Sequence, residues 1–374
     1  MKITDVTLVM HSRTLPNPLG PPILELGVLS IVTDEGVIGE TFVGAPGPSV
    51  TAQIVGPAKQ LLIGRDPLDI GAIWRTFQNK ARFFHASVQG YIDVALWDIA
   101  GKTAGLPVHR LLGTCRESVP CYTSSWVHPD VPTYAEEALA YRDQGFPAYK
   151  LHPPTQRRVF QGEDVPLADD IAACTAIRDA VGDDYVLMLD SAWAYNYAQA
   201  LTVGQAIQDL GYYWYEDPLK ADDIYGYVRL KERLHIPIVA TEVTDGGVYA
   251  LPQWLLQRAT DALRGDTVIK GGITGLMKIA HLAEAFQMNC EVHDGYNAMN
   301  NAAGLNVIMA IDNCEFFEII TIHAPGSYDL DHLNYGLAEP FDIDAAGNVH
   351  APTQPGLGFD VDWDLINSSV IARL

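Results

Sequence analysis

The sequence is poor in basic residues, and this deficit excludes one broad class of function. Its 374 residues include 24 lysines and arginines against 46 aspartates and glutamates, which gives a formal net charge of −22. Binding to the phosphates of DNA or RNA requires a basic surface. The sequence therefore predicts a protein without a nucleic-acid partner.

Paired cysteines and long apolar runs are also missing. The five cysteines are scattered and form no CxxC pair, which indicates reduced thiols rather than a disulfide framework or a zinc site. No apolar run approaches the roughly 18 residues of a membrane helix, and the N-terminus lacks the pattern of a secretory signal. We expect a cytoplasmic protein without a membrane partner.

What is present is a folded chain that changes its periodicity near residue 60. Hydrophobic residues make up 48% of it, enough for a substantial core. Residues 1–60 alternate as short strands between turns rich in proline and glycine, and residues 68–112 follow a helical period until Gly105 and Pro107. These patterns predict an N-terminal α+β domain over residues 1–116.

The remainder reads as a parallel barrel over residues 117–340. Short apolar segments alternate with helical stretches, and this order predicts a (β/α)₈ barrel whose catalytic residues lie at the C-terminal ends of its strands. The eight segments are residues 119–122, 148–152, 185–190, 213–216, 237–242, 266–269, 290–293 and 316–321. Residues 341–374 contain no further unit, and we expect them to pack back on the first domain.

Three acidic residues end consecutive predicted strands. Asp190, Glu216 and Glu242 are evenly spaced along the chain, one repeat of the barrel apart, so they should converge. Close anions repel unless a cation lies between them, and ligation by oxygen alone favours Mg²⁺ or a similar hard ion. A solvated loop acid or a helix cap would explain any one of them, but the shared register favours a metal site.

A second pair follows on the next strands. Asp266 and His293 are separated by nearly the same interval, again one repeat. A carboxylate on a neighbouring strand can fix the tautomer of an imidazole and raise its basicity, which makes His293 a candidate base. A purely structural histidine is the alternative, and the position at the predicted catalytic rim favours the base.

The second and eighth strands provide the remaining candidates. Lys150 and His152 should both face the barrel interior by the two-residue period of a strand. Near a bound cation and other positive charge, Lys150 should have a lowered pKa and could act as a base or neutralise a carboxylate, and His152 is an alternative base. An exposed lysine and a packed histidine are the structural alternative. Glu318 is the inward candidate on the eighth strand, and Glu315 is its rival.

These residues and motifs resemble the enolase superfamily, in its mandelate racemase subgroup, over essentially the whole chain. The resemblance includes YIDVALWDIAGKTAGLPVHRLLG at the end of the first domain, EDP beginning at Glu216 and GGITG after Asp266. It implies a capping domain over a modified barrel, one Mg²⁺ on the three carboxylates, and abstraction of the proton α to a substrate carboxylate through an enediolate. It also implies a base on each side of the substrate, assistance by Glu318, and a homo-oligomer.

The second strand departs from the family pattern. The subgroup commonly has Lys-x-Lys there, and this chain has Lys150-Leu151-His152. His152 therefore occupies the usual base position, and Lys150 the position that usually neutralises the substrate carboxylate. Either could be the base.

Three functions remain open at this stage. A Mg²⁺-dependent dehydratase of sugar acids is the leading hypothesis, a racemase, epimerase or cycloisomerase uses the same groups, and a non-catalytic binding protein is the third. Polar residues could hold the substrate's hydroxyl groups, under a loop formed by residues 15–22. They are Tyr122, Ser124, His128, Asn297, Asn300 and Asn301.

Overall fold

The computed structural model describes residues 1–15, 23–324 and 326–374, which form two domains. The N-terminal sheet is antiparallel, and its first three strands pair with one another in chain order. Its strands are β1 (Ile3–Thr14), β2 (Ile23–Thr33) and β3 (Ile38–Val43). Helices α1 (Pro48–Gln53), α2 (Lys59–Leu62), α3 (Ile70–Gln78), α4 (Ala86–Ala104) and α5 (Val108–Leu112) follow, with a π-helical turn at Ile54–Ala58 and a 3₁₀ turn at Ala81–Phe83.

The second domain is a parallel barrel of eight strands. They are β4 (Ser118–Ser124), β5 (Ala148–Leu151), β6 (Val186–Asp190), β7 (Trp214–Glu216), β8 (Ile238–Ala240), β9 (Ala262–Gly265), β10 (Asn289–Val292) and β11 (Phe317–Ile320). Hydrogen-bonded ladders connect them in the order β10-β9-β8-β7-β6-β5-β4-β11. The barrel is nearly closed, and the predicted fold class, a capping α+β domain with a modified (β/α)₈ barrel, is confirmed.

Helices connect these strands over the outside of the barrel. They are α6 (Val131–Asp143), α7 (Gln156–Gln161), α8 (Leu167–Val181), α9 (Tyr197–Asp209), α10 (Ile224–Lys231), α11 (Leu251–Leu256), α12 (Gly272–Ala285) and α13 (Ala298–Ala310), with a 3₁₀ turn at Gly247–Tyr249. A short helix, α14 (Asp331–Asn334), follows the last barrel strand. None of the helices in these described ranges is long and apolar enough to cross a membrane.

One strand lies earlier than the sequence predicted. The sixth barrel strand, β9, covers residues 262–265 rather than 266–269. The run Thr267-Val268-Ile269 favours a strand by composition, but Oδ1 of Asp266 accepts the N–H groups of Val268 and Ile269 at 2.5 and 2.7 Å. This Asx-type turn ends the strand at Gly265 and leads into α12.

The C-terminal segment contacts both domains. Strand β12 (Asn348–His350) pairs antiparallel with β4 of the barrel. After α15 (Trp363–Asn367), strand β13 (Val370–Arg373) pairs antiparallel with β1 at the edge of the N-terminal sheet.

Helix α4 joins the two domains at the connection between β9 and α12. Trp97 donates to Oγ1 of Thr274 at 2.9 Å, and Oδ2 of Asp93 accepts the backbone N–H of Thr274 at 2.9 Å. Gly90 permits this close approach, because a Cβ atom there would lie 2.0 Å from the carbonyl oxygen of Val268. The α4 motif in the sequence therefore fixes the capping domain against the turn that begins at Asp266.

Candidate active site

Three carboxylates meet at the C-terminal ends of β6, β7 and β8. Asp190 and Glu216 are the last residues of β6 and β7, and Glu242 follows shortly after the end of β8. One oxygen from each lies within 4.8 Å of the other two. The chain brings them together because consecutive parallel strands place their ends on one rim.

The backbone beside these carboxylates is strained. Eight non-glycine residues in the described part of the chain have positive φ angles, and four of them flank this triad. They are Ala192, Trp193, Asp217 and Thr241, with φ of 44°, 63°, 38° and 92°. Such backbone is costly and persists only where surrounding contacts impose it, commonly at functional sites.

Buried cations lie beneath the carboxylates. Nζ of Lys150 is 2.6 Å from Glu318, 3.1 Å from Glu216 and 3.6 Å from Asp190. Burial and Arg264 both lower the pKa of Lys150, but these three carboxylates outweigh them and raise it above its usual value. A bound cation would lower this pKa, so the lowered value expected for Lys150 beside a metal ion stays a prediction.

Two histidines lie at opposite ends of the carboxylate row. Nε2 of His152 is 3.1 Å from Oδ2 of Asp190, and its Nδ1 donates to the carbonyl oxygen of Ser125 at 2.5 Å. At the other end, Nε2 of His293 is 3.8 Å from Oε1 of Glu242. The two imidazoles therefore approach the triad from the β5 side and the β10 side.

Asp266 faces His293, as the sequence predicted, but without a hydrogen bond. Oδ2 of Asp266 and Nδ1 of His293 are 3.8 Å apart, and neither atom has a hydrogen-bond partner in the described structure. Burial lowers the pKa of His293 to about 4, and it raises the pKa of Asp266. A movement of about 1 Å would bring these two atoms within hydrogen-bonding distance.

Glu318 points into the barrel, whereas Glu315 lies at the opposite end. Oε1 of Glu318 is the 2.6 Å partner of Lys150, and the side chain is fully buried. Glu315 precedes β11 and contacts Tyr213 and Asn289 at the N-terminal end of the barrel. Of the two rivals, the structure brings only Glu318 to the cluster.

The predicted substrate contacts are placed in different regions. Ser124 lies beside His152, with Oγ 3.4 Å from Nδ1. The ring of Tyr122 lies one layer deeper, edge-on to Trp214, and its hydroxyl accepts from Arg264 at 3.1 Å. Tyr122 is buried below the carboxylates because alternate residues of a strand share a face at different depths.

His128 turns to the outside of the barrel. Its Nε2 lies 2.5 Å from Oε2 of Glu137, a fully buried residue of α6. The same carboxylate accepts from Tyr149 at 2.7 Å and from Thr321 at 3.0 Å, and it lies 2.8 Å from Nε2 of His323. Glu137 thereby holds the loops after β4 and β11, and His128 serves that contact instead of facing the carboxylates.

Two of the asparagines that follow β10 contact the capping domain, and the third holds the loop itself. Nδ2 of Asn297 donates to the carbonyl oxygen of Phe42 at 3.4 Å, and Nδ2 of Asn300 donates to Thr41 at 3.4 Å. Oδ1 of Asn301 accepts the N–H of Gly295 at 2.8 Å. Of the predicted closing loop at residues 15–22, only Leu15 belongs to the described residues.

The donor set fits a divalent metal ion. When ionised, Asp190, Glu216, Glu242 and Glu318 carry four negative charges, and Lys150 and Arg264 return two positive charges. Burial and mutual repulsion raise the pKa of Glu242 to about 7 despite both cations. One divalent cation would balance the remaining two charges, and ligation by oxygen suits Mg²⁺.

Two family models match the chain. One, described as "Enolase C-terminal domain-like", matches residues 133–365, and the other, the "Mandelate racemase / muconate lactonizing enzyme, N-terminal domain", matches residues 24–113. The chain belongs to the mandelate racemase/muconate lactonizing enzyme family of the enolase superfamily. The family resemblance inferred from the sequence is confirmed. As a member of the enolase superfamily, the protein is an enzyme.

Individual relatives match over most or all of the chain. The chain is 29% identical to the D-galactarolactone cycloisomerase of Agrobacterium fabrum, over 98% of both chains. It is 26% identical to the arabinonate dehydratase of Saccharolobus solfataricus, over 90% of this chain and 88% of the relative. A crystal structure of D-glucarate dehydratase from Agrobacterium tumefaciens, complexed with magnesium, matches with a TM-score of 0.87 and 31% identity, over 100% of both chains.

One buried residue of the site was missed by sequence reasoning. Arg264 lies in β9 and contacts Glu216 and Glu318 inside the barrel. Because the sixth strand was expected at residues 266–269, Arg264 fell outside it. The signal was the segment Ala262-Leu263-Arg264-Gly265-Asp266, where alternation from Ala262 places Arg264 inward.

Proposed function

We propose that this protein is a Mg²⁺-dependent enzyme that removes the proton α to the carboxylate of a sugar acid and then eliminates water. The observation that carries the proposal is the pair of imidazoles, His152 and His293, at opposite ends of the carboxylate row. Relatives named as sugar-acid dehydratases support the substrate class.

Asp190, Glu216 and Glu242 would hold the metal ion. A bound Mg²⁺ would supply Lewis-acid stabilisation of the negative charge that develops on the substrate carboxylate. Their clustered oxygens, within 4.8 Å of each other, support this assignment. Glu318, already ion-paired to Lys150 and Arg264, would contribute a fixed negative charge at the base of the site.

Of the two strand-two candidates, His152 is the better base. Lys150 is fully buried and held by three carboxylates, whereas His152 lies nearer the rim and retains some exposure, 7%. Nδ1 of His152 is engaged by the Ser125 carbonyl, so Nε2 is the nitrogen that would exchange a proton. Lys150 would instead compensate charge beneath the site.

The reaction would proceed by two proton movements. One imidazole takes the α-proton, and the C–H bonding pair moves toward the carboxylate to give the enediolate. The pair then returns to form a carbon–carbon double bond while the β-hydroxyl leaves, and the second imidazole protonates it to water. The resulting enol tautomerises to a 2-keto-3-deoxy acid. Asp266 would orient His293 and stabilise its protonated form.

Cycloisomerisation is the second candidate, because the relative that matches over 98% of both chains carries that name. The composition of the product distinguishes cycloisomerisation from dehydration. Dehydration releases water and yields a keto acid, whereas an isomerase yields a product of unchanged mass. We also keep a homo-oligomer as a prediction, which light scattering of the purified protein would test.

The test is a screen of aldonic acids, aldaric acids and their lactones with Mg²⁺ in D₂O. Keto-acid formation, product mass and α-deuteration are recorded together. We expect keto acid with loss of water from at least one compound, abolished in Glu216→Gln and retained in Glu315→Gln, the control at the opposite end of the barrel. Deuteration or isomerisation without loss of water would refute the dehydratase.

A further inference from the structure

Arg264 is a fully buried cation in the middle of the barrel. Its Nε forms an ion pair with Oε1 of Glu216, and its Nη2 lies 2.5 Å from Oε2 of Glu318. Nη2 also donates to the hydroxyl of Tyr122, and Nη1 donates to the carbonyl oxygen of Val292 at 3.4 Å. Nε also lies 3.7 Å from Oε2 of Glu242, which follows β8, so four of these five contacts are with side chains from other parts of the barrel.

The arginine connects two carboxylates that belong to distant strands. Glu216 ends β7 and Glu318 lies in β11, and these strands are not neighbours in the barrel. A guanidinium is planar and presents its donors as a rigid fork, so one arginine can fix two acceptors in a defined relation. Lys150 contacts the same two carboxylates through one charged nitrogen, whereas Arg264 reaches them through two separate nitrogens held in one plane.

Contacts from beneath fix the position of the Glu216 carboxylate. Its Oε1 faces Arg264, and its Oε2 accepts from Lys150 at 3.1 Å and from Trp214 at 3.2 Å. An ionised carboxylate offers about four lone-pair sites, so both oxygens retain capacity toward the open side. The rotamer of this central ligand is therefore set by the protein itself.

We propose that Arg264 is a positioning residue of the metal site. It holds Glu216 and Glu318 apart and in place, so that the carboxylates are arranged before a divalent ion arrives. It does not itself bind the ion. Groups that orient metal ligands from behind commonly change metal affinity by about 10- to 100-fold when they are replaced.

The test measures Mg²⁺ binding without any substrate. Isothermal titration with Mg²⁺ compares wild type with Arg264→Gln and with Arg178→Gln. Arg178 is another buried arginine, 6% exposed, whose guanidinium donates to backbone carbonyls such as those of Leu210 and Tyr185. We expect a dissociation constant about 10- to 100-fold higher for Arg264→Gln, and an unchanged constant for Arg178→Gln. Equal or tighter binding by Arg264→Gln would overturn the proposal.

A second variant, Arg264→Lys, tests the proposal if Arg264→Gln does not fold. Arg264→Lys keeps the charge but loses the fork, so we expect Mg²⁺ binding weaker than wild type and tighter than Arg264→Gln. Wild-type affinity in Arg264→Lys would show that charge alone is needed and would overturn the bridging role. The inference rests on the proposed metal site, and the wild-type titration separates the two: absence of Mg²⁺ binding there would refute the site itself.

Discussion

Replacing Glu137 by Gln tests whether this residue holds the barrel together behind the active site. Burial would raise the pKa of Glu137, but its contacts with His128 and His323 outweigh burial and lower it to about 2, from a usual value of 4.5. At 1.36 kcal/mol per unit, this lowering corresponds to about 3 kcal/mol of stability at neutral pH. The variant should lose about that amount, because an amide cannot accept hydrogen bonds on both sides.

The stability that Glu137→Gln loses should depend on pH in a defined direction. The folded-state pKa of Glu137 is lowered, so its stabilisation is present above the unfolded-state value of 4.5 and is lost as pH falls toward about 2. By about pH 3.5, protonation of the unfolded state should already remove about 1 kcal/mol of the difference between wild type and variant. The difference should therefore be smaller in acid.

Urea unfolding followed by tryptophan fluorescence would measure both effects. Glu136→Gln is the matched control, because Glu136 is the exposed neighbour on the same helix, and it should change stability by no more than about 0.5 kcal/mol. A loss below about 1 kcal/mol in Glu137→Gln, or a difference that does not shrink in acid, would refute the reasoning.

Three further predictions concern the site and its attachment to the capping domain. Glu242→Gln should abolish the rise in melting temperature that Mg²⁺ produces in wild type, measured by scanning calorimetry; a retained rise would remove Glu242 from the ligand set. Asp266→Asn should lower kcat by about 10²- to 10⁴-fold with unchanged Mg²⁺ affinity, since it acts through His293; steady-state kinetics with an unchanged kcat would contradict this. Trp97→Phe removes one hydrogen bond to Thr274 and should cost about 1 kcal/mol of unfolding free energy, measured in urea, and full stability would show that this contact is dispensable.

The acidic triad was predictable because its signal is local and repeats. A carboxylate at the end of an apolar strand, recurring at an equal interval from Asp190 to Glu242, needs only the barrel's symmetry to become a cluster. The facing of Asp266 and His293 follows from the same register. The 3.8 Å separation of the pair could not be predicted from the sequence, because it depends on the packing of the turn after β9.

Other features of the site depend on contacts that form only in the folded chain. Arg264 was overlooked because the sixth strand was expected after it, and its partners Glu216 and Glu318 lie on other strands, far from it along the chain. Glu137 is only nine residues from His128, but their contact requires helix α6 to be in place. The three carboxylates around Lys150 likewise come together only when the strands are assembled.

The left-handed backbone beside the carboxylates limits how this enzyme can be improved. Ala192, with φ of 44°, has no glycine-like freedom, and such a conformation costs about 1–3 kcal/mol. Glycine there would relieve the strain, while also loosening the chain next to Asp190. We therefore expect Ala192→Gly to raise the melting temperature and to lower the turnover number. Variants selected for heat resistance should accordingly be screened for both properties.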